Sequence, residues 1–214
     1  MDSVSGVGVI DKSFELLDAL RVEPLTLAEL VDAAHMPRAT VYRLAAALES
    51  HGAIRRDADG RFALGLALVG LGAAASASMP LVELAMPALE SLRRATGESV
   101  QLFVRQGRRR LCLAALDASH ELRTIVAVGS LLPLDRGSAG HVLAGEIGKA
   151  GWTQSVGERE AGVASVSAPV YSVAGAMVAA VSVSGPIERM TRKPGFRHGT
   201  AVLDAATEIA AALV

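Results

Sequence analysis

The sequence predicts an α+β chain: a small helix, turn, helix and hairpin unit, then a linker helix, then a larger mixed α/β unit. Three observations carry this. Apolar residues recur at helical spacing through the first fifty positions, Asp57-Ala58-Asp59-Gly60 separates two short strand-like runs, and Val-rich alternating runs take over after Gly97. At 214 residues the chain is long enough for two modest domains. The expected divisions are residues 1–65, a linker over 66–79, and residues 80–214.

Residues 8–20 read as an opening helix with Val9, Ile10, Phe14, Leu17 and Leu20 on one side, and with Lys12 and Ser13 as candidates for a phosphate contact or a cap. Leu25, Leu27, Leu30, Val31 and Ala34 then repeat at helical spacing, opened by Thr26 as N-cap with Glu29 three residues on, a capping box. Pro37 disfavours helix at Met36 and suits the first turn of a new helix running through Val41, Leu44, Ala45 and Leu48 to Gly52. The apolar face of that helix belongs to the core. Arg38, Ala39, Thr40, Tyr42 and Arg43 are therefore left on its open surface near the N-terminus, where they suit base edges and phosphates. An Asp-Gly pair between Ile54-Arg55-Arg56 and Arg61-Phe62-Ala63-Leu64 signals a hairpin, a wing whose Arg55, Arg56 and Arg61 also face phosphate. The expectation is a winged helix-turn-helix that binds DNA; the competing reading is a protein-binding module with solvated arginines.

The formal net charge is −1, and the first 65 residues carry seven Lys or Arg against ten Asp or Glu. Positive charge is local instead: Arg38, Arg43, Arg55, Arg56 and Arg61 face only Glu49, Asp57 and Asp59 between Met36 and Phe62. Such a chain has a limited reserve of non-specific affinity and needs placed arginines and dimeric binding. The single cysteine, Cys112, excludes an internal disulfide, and the five histidines show no metal-ligand spacing, so no metal or other cofactor is expected. The apolar stretch 65–79 is too short for a membrane span and no basic region precedes an apolar run at the N-terminus, which gives a cytoplasmic expectation.

The Ala/Leu-rich linker helix from Leu66 to Ser78 has small residues that suit a dimer contact, and Pro80 ends it. LVELAMPALESLRRAT (81–96) is helical in period and stops at Gly97. Strand-like runs follow at 99–105, 110–116 and 122–128, with Arg108-Arg109-Arg110 read as a wet hairpin tip. The loop 129–134, with Ser130 and Leu132, feeds a short helix at 138–143 opened by Gly137-Ser138-Ala139-Gly140. Late strands at 162–170 and 176–184 and a helix at 200–213 complete the chain. Ser165 and Ser167 share one strand face, as do Ser182 and Ser184. Folding about Val173 and Ala174 sets Ser165 opposite Ser182, giving a polar face that either binds a polar guest or satisfies itself.

Together LTLAEL, MPRATVYRLAAALESHGAIRRDADGRFALG, LVELAMPALESL, TGESVQLFV, VGSLLPLDRGSAGHVL, GVASVSAPV and AAVSVSGPIERMT resemble the IclR family of bacterial transcription regulators. The resemblance implies a C-terminal GAF-like α/β effector-binding domain behind the winged helix-turn-helix and linker helix. It also implies homodimers, often paired into tetramers, on inverted-repeat double-stranded operators, acting as repressor of a metabolic operon. The implied effector, an amino acid or small carboxylate, lies between the loop of Ser130 and Leu132, main-chain N–H groups of Ser138 and Ala139, and hydroxyls of Ser165, Ser182 and Ser184. Two departures stand out: Ser155 and Ser165 occupy positions where relatives carry an acid and a cysteine, and residues 143–149 bridge abruptly a stretch that relatives fill with extra helix. GWTQSVGEREAGVASVSAPV is similar to the subgroup controlling leucine and other branched-chain amino-acid genes, whose ligand ammonium would need Asp117, Glu158 or Glu160. A serine hydrolase built from Ser138, His141 and Asp135 is the enzymatic alternative; it lacks a nucleophile elbow, and no enzyme is expected.

Overall fold

The computed structural model describes residues 7–77 and 80–213. The chain forms two compact units, Met1–Met79 and Pro80–Val214.

The first unit contains α1 (Gly8–Ala19), α2 (Leu27–Ala34), α3 (Arg38–Ser50), β1 (Ile54–Arg56), β2 (Phe62–Leu64) and α4 (Ala67–Ala77). The capping box forms as the spacing requires: Glu29 N–H donates to Thr26 Oγ1 at 3.3 Å, and Thr26 N–H donates to Glu29 Oε2 at 2.7 Å. α2 ends at His35, which adopts a left-handed φ of 50°, and Pro37 stands as N-cap just outside α3 rather than within its first turn. The hairpin closes on Asp57, whose side chain accepts the Asp59 and Arg61 N–H groups at 3.0 and 2.9 Å, while Gly60 takes φ +77°. Leu25 pairs with Phe62 through two main-chain bonds of 2.9 and 2.7 Å, so it extends the wing sheet instead of opening α2. Leu16, Leu20, Leu30, Val41, Ala45, Ile54 and Phe62 form the core. The expected apolar side of α1 divides: Leu16 and Leu20 are buried, whereas Val9, Ile10 and Phe14 are exposed. Ser13 donates to Val9 O at 2.8 Å within the helix and caps nothing. Positions 78 and 79 of the expected linker lie outside the described residues.

The second unit contains α5 (Leu81–Thr96), β3 (Ser99–Gln106), β4 (Arg109–Leu116), β5 (Leu131–Pro133), α6 (Ser138–Ala144), β6 (Thr153–Val156), β7 (Val163–Tyr171), β8 (Met177–Pro186), α7 (Ile187–Met190) and α8 (Pro194–Ala212). Its sheet is six-stranded and antiparallel, in order β5-β4-β3-β8-β7-β6. Alternation gives it two unlike faces. Val100, Leu102, Val166, Ala168, Val181 and Val183 pack with Leu89 and Leu92 of α5 and Val202 and Ile209 of α8. Phe103, Cys112 and Ala180 pack on the other side with Ala139, Val142 and Leu143 of α6.

Three expectations are corrected here. Residues 122–128 form no strand; β4 instead meets 129–133, with Gly129 N–H donating to Cys112 O at 2.8 Å and Cys112 N–H to Ser130 O at 3.0 Å. The β7–β8 register pairs Ser165 with Ser184 and Ser167 with Ser182, because the hairpin turns about Ala174, with Tyr171 opposite Met177, and an irregularity at Val170/Tyr171 shifts it by one residue more. Helix α8 starts at Pro194, ahead of the expected 200, since Gly195 and Gly199 accept the Trp152 ring where any Cβ would collide.

Candidate functional site

On the first unit, burial of Val41 and Ala45 fixes the rotation of α3. Arg38, Ala39, Tyr42 and Arg43 consequently stand exposed on adjacent turns, and Thr40 is half-buried. In the wing Arg55 is exposed, but Arg56 lies 4.1 Å over the Phe62 ring, 3.4 Å from Glu49, and donates to Gly60 O at 3.2 Å. Arg61 donates to Pro24 O at 3.3 Å and lies 3.9 Å from Glu29. Two of the three wing arginines thus hold the wing together, while Arg38, Arg43 and Arg55 project into solvent.

On the second unit, a cleft of about 370 Å³, its open mouth included, lies between the polar face of β3, β7 and β8 and the start of α6. Leu132, Ser138, Ala139, Ser165, Ser182 and Ser184 line it as expected; Ser130 does not, because its main chain is spent on Cys112 in the sheet ladder. The hydroxyls form a ladder: Ser138 Oγ lies 2.7 Å from both Ser165 Oγ and Ser167 Oγ, and Ser167 Oγ donates to Ser182 Oγ at 2.9 Å. Ser184 Oγ donates to Gln101 Oε1 at 3.0 Å.

Arg110 is the residue that sequence reasoning placed wrongly. It is 2% exposed, donates through Nη1 to the carbonyls of Pro133 and Arg136, and lies 5.4 Å from the Phe103 ring centre. Burial, and then the like charge of Arg159, push its pKa down to about 10 against the opposing pull of Asp135, so it stays protonated at neutral pH. The signal lay in strand parity: Arg110 shares its face of β4 with buried Cys112, two residues on, while Arg109 points to water. Gln101, Ser155 and Arg159 also line the cleft, and no local pattern in the sequence marks Gln101 or Arg159.

The acids that could receive an ammonium are engaged elsewhere. Glu158 Oε2 accepts the Gly137 N–H at 2.9 Å and lies 2.8 Å from His141 Nε2; Glu160 lies 3.6 Å from Arg159, and Asp117 3.6 Å from Arg123. None of them lines the cleft. Burial disfavours the charged His141 ring, yet hydrogen bonds and charge from Glu158 and Glu146 outweigh it and raise its pKa. Ser138 gives its hydroxyl to serines and His141 faces two carboxylates, so no Ser-His pair forms. Burial pushes the Cys112 thiol up to about 11, leaving it inert at neutral pH. Among the described residues no group of three His, Cys, Asp or Glu is placed to hold a metal ion.

The IclR helix-turn-helix domain matches residues 9–58, and the bacterial transcriptional regulator IclR C-terminal domain matches residues 73–145 and 144–211. The chain belongs to the IclR family. Its two C-terminal matches meet at the end of α6, where the sequence crosses abruptly toward β6. The HTH-type transcriptional regulator KipR of Bacillus subtilis is 34% identical over 128 residues, 59% of this chain and 51% of KipR, so the chain spans about half the length of that relative. The HTH-type transcriptional repressor AllR of Escherichia coli is 24% identical over 214 residues, 83% of this chain and 79% of AllR. Among solved structures, an IclR homolog from Microbacterium hydrocarbonoxydans complexed with 4-hydroxybenzoate superposes with TM-score 0.80 at 21% identity, covering 96% of this chain and 98% of the other. Thermotoga maritima IclR gives 0.70 at 21% identity, covering 96% and 98%. The IclR-type fold, a helix-turn-helix unit followed by a GAF-like α/β unit with an antiparallel sheet, is common to them, and these relatives are transcriptional regulators, not enzymes. No helix among the described residues is long and apolar enough to cross a membrane.

Proposed function

We propose that this IclR regulator represses a metabolic operon in the cytoplasm by binding an inverted-repeat operator as a homodimer. Helix α3 enters the major groove with Arg38, Ala39, Thr40, Tyr42 and Arg43 toward the bases, and the wing, through Arg55 and secondarily Arg56 and Arg61, follows the phosphates. The observation that carries this reading is the exposure of Arg38, Tyr42 and Arg43 on adjacent turns of a helix whose opposite side is pinned by Val41 and Ala45. Dimerisation is supported by Leu66, Val69 and Leu71 on and beside α4, all at least 67% exposed in a single chain. Pairing of dimers into tetramers is the further step that light scattering decides.

The effector is a small acid held in the cleft by the main chain of Ser138 and Ala139 and by Ser165, Ser182 and Ser184. Support comes from the polar lining and from a relative whose structure holds 4-hydroxybenzoate. A branched-chain amino-acid operon rests on one sequence phrase alone; KipR and AllR do not support it, and no carboxylate lines the cleft to take an ammonium.

Fluorescence-anisotropy titration with the duplex upstream of its own gene, repeated across salt concentrations, tests the DNA reading. A steep fall of affinity with salt is expected. A flat dependence, or no binding, favours a protein partner for the winged helix and overturns it.

A further inference from the structure

The cleft collects N–H donors that have no acceptor. Gln101 Nε2, Arg110 Nε and Arg159 Nη2 are shut off from solvent, and each lacks a hydrogen-bond partner. All three side chains line the cleft, and Gln101 and Arg110 are 1% and 2% exposed. The Gln101 amide is oriented by Ser184, whose hydroxyl takes its oxygen and leaves the NH₂ group free. The Arg110 guanidinium and the stem of Arg159 both pass the main chain at Gly137: a Cβ there would stand 3.3 Å from Arg110 Nη2 and 3.8 Å from Arg159 Cβ, with Ser155 Oγ at 3.9 Å.

Nothing in the lining answers this charge. Ser155 contributes a hydroxyl, and no Asp or Glu is among the lining residues. Glu158 is engaged by Gly137 and His141, and Asp135, which pulls only weakly against the burial of Arg110, makes an exposed contact 3.8 Å from Arg136. Glu160 Oε2 forms an exposed ion pair with Arg159 Nη2 at 3.6 Å, too long for a hydrogen bond. Two guanidiniums on one wall of a small, half-enclosed cleft repel each other and lose hydration, a cost that an anion between them removes. The lowered pKa of Arg110, with Arg159 among its causes, is the same imbalance seen from the protein side. The serine hydroxyls already satisfy one another, so the unmet demand is for acceptors carrying negative charge.

We infer that the effector is a small acid with two negative charges and no cationic group, one anionic group lying between Arg110 and Arg159 and the other meeting the Gln101 amide. This rests on the cleft being the effector site, as proposed above. It makes Arg159 and Gln101 the residues that set specificity, and it excludes zwitterionic amino acids, whose ammonium would face two guanidiniums and no carboxylate. The doubly negative charge is supplied either by a dicarboxylate or by a phosphate, and the two are separated by the choice of probe.

The full chain is titrated calorimetrically with malonate, succinate, inorganic phosphate, butyrate and L-leucine, using wild type, Arg159→Gln and Ser182→Ala. Arg110 is left intact because it also holds the Pro133 and Arg136 carbonyls. At least one dianion is expected to bind, butyrate more weakly by about tenfold or more and leucine not at all, with Arg159→Gln weakening the dianion by about tenfold or more without lowering the ligand-free melting temperature. Phosphate binding over both dicarboxylates assigns the phosphate source; the reverse assigns the dicarboxylate. Leucine or butyrate binding as tightly as the dianions, and lost in Ser182→Ala, overturns the charge inference and leaves the cleft as effector site. Binding unaffected by either substitution overturns both, and failure of all three dianions to bind overturns the inference.

Discussion

His141 Nε2 lies 2.8 Å from Glu158 Oε2, and that same oxygen accepts the Gly137 N–H at 2.9 Å, so one carboxylate ties the 157–160 loop to both ends of the first turn of α6. With Glu146 on its other ring nitrogen at 2.7 Å, His141 is the pin at the edge of the cleft.

This pin is pH-dependent. The His141 pKa is raised above its ordinary 6.5 in the folded chain, so its stabilising effect is complete below that value and is lost as pH rises through the folded pKa. The melting-temperature advantage of wild type over His141→Gln is expected to be largest below the ordinary imidazole value of 6.5 and to shrink as the pH rises past it. An advantage that grows with pH would contradict the raised value. His198, whose pKa is lowered first by burial and then by Arg197, is common to both proteins and cancels in the difference.

Arg43 is exposed on α3 with no packing role. Arg43→Ala is expected to leave the melting temperature unchanged and to weaken specific operator binding by about 1–3 kcal/mol with relaxed preference at one base position. Unchanged affinity and preference in a competition titration remove Arg43 from base readout.

Arg189 Nε and Nη2 donate to Glu98 at 2.6 and 2.8 Å, and Glu98 is 4% exposed. Arg189→Ala strands that carboxylate in the interior and is expected to cost about 3 kcal/mol, read as a lower urea midpoint at unchanged slope. Arg189 also donates to Leu122 O at 2.8 Å, so hydrogen exchange across 117–130 should quicken in the same variant.

Trp152, the single tryptophan, lies against Gly195 and Gly199 of α8. A Cβ at Gly199 would stand 2.5 Å from the indole Nε1. Gly199→Ala is expected to displace the ring, costing about 1–3 kcal/mol, with a shifted and broadened tryptophan emission. An unchanged spectrum and midpoint would show that the helix gives way instead.

Whatever depends on neighbours within a turn or on period is legible in the chain's own residues. The Thr26 and Glu29 cap, the Asp57 to Gly60 turn, the rotation of α3 and the shared faces of Ser165 with Ser167 and Ser182 with Ser184 are set by chain geometry over a few residues. Long-range packing settled the rest. It placed Ser165 opposite Ser184 through a turn about Ala174 and the irregularity at Val170/Tyr171, chose 129–133 over 122–128 as partner for β4, and supplied the Pro133 and Arg136 carbonyls that hold the buried Arg110 guanidinium. It also let α8 begin at Pro194, over Gly195 and Gly199, because Trp152 fills the space they leave. Pairing between distant strands, and burial of a charge, are settled by the summed fit of both sheet faces, and no local pattern reports that sum.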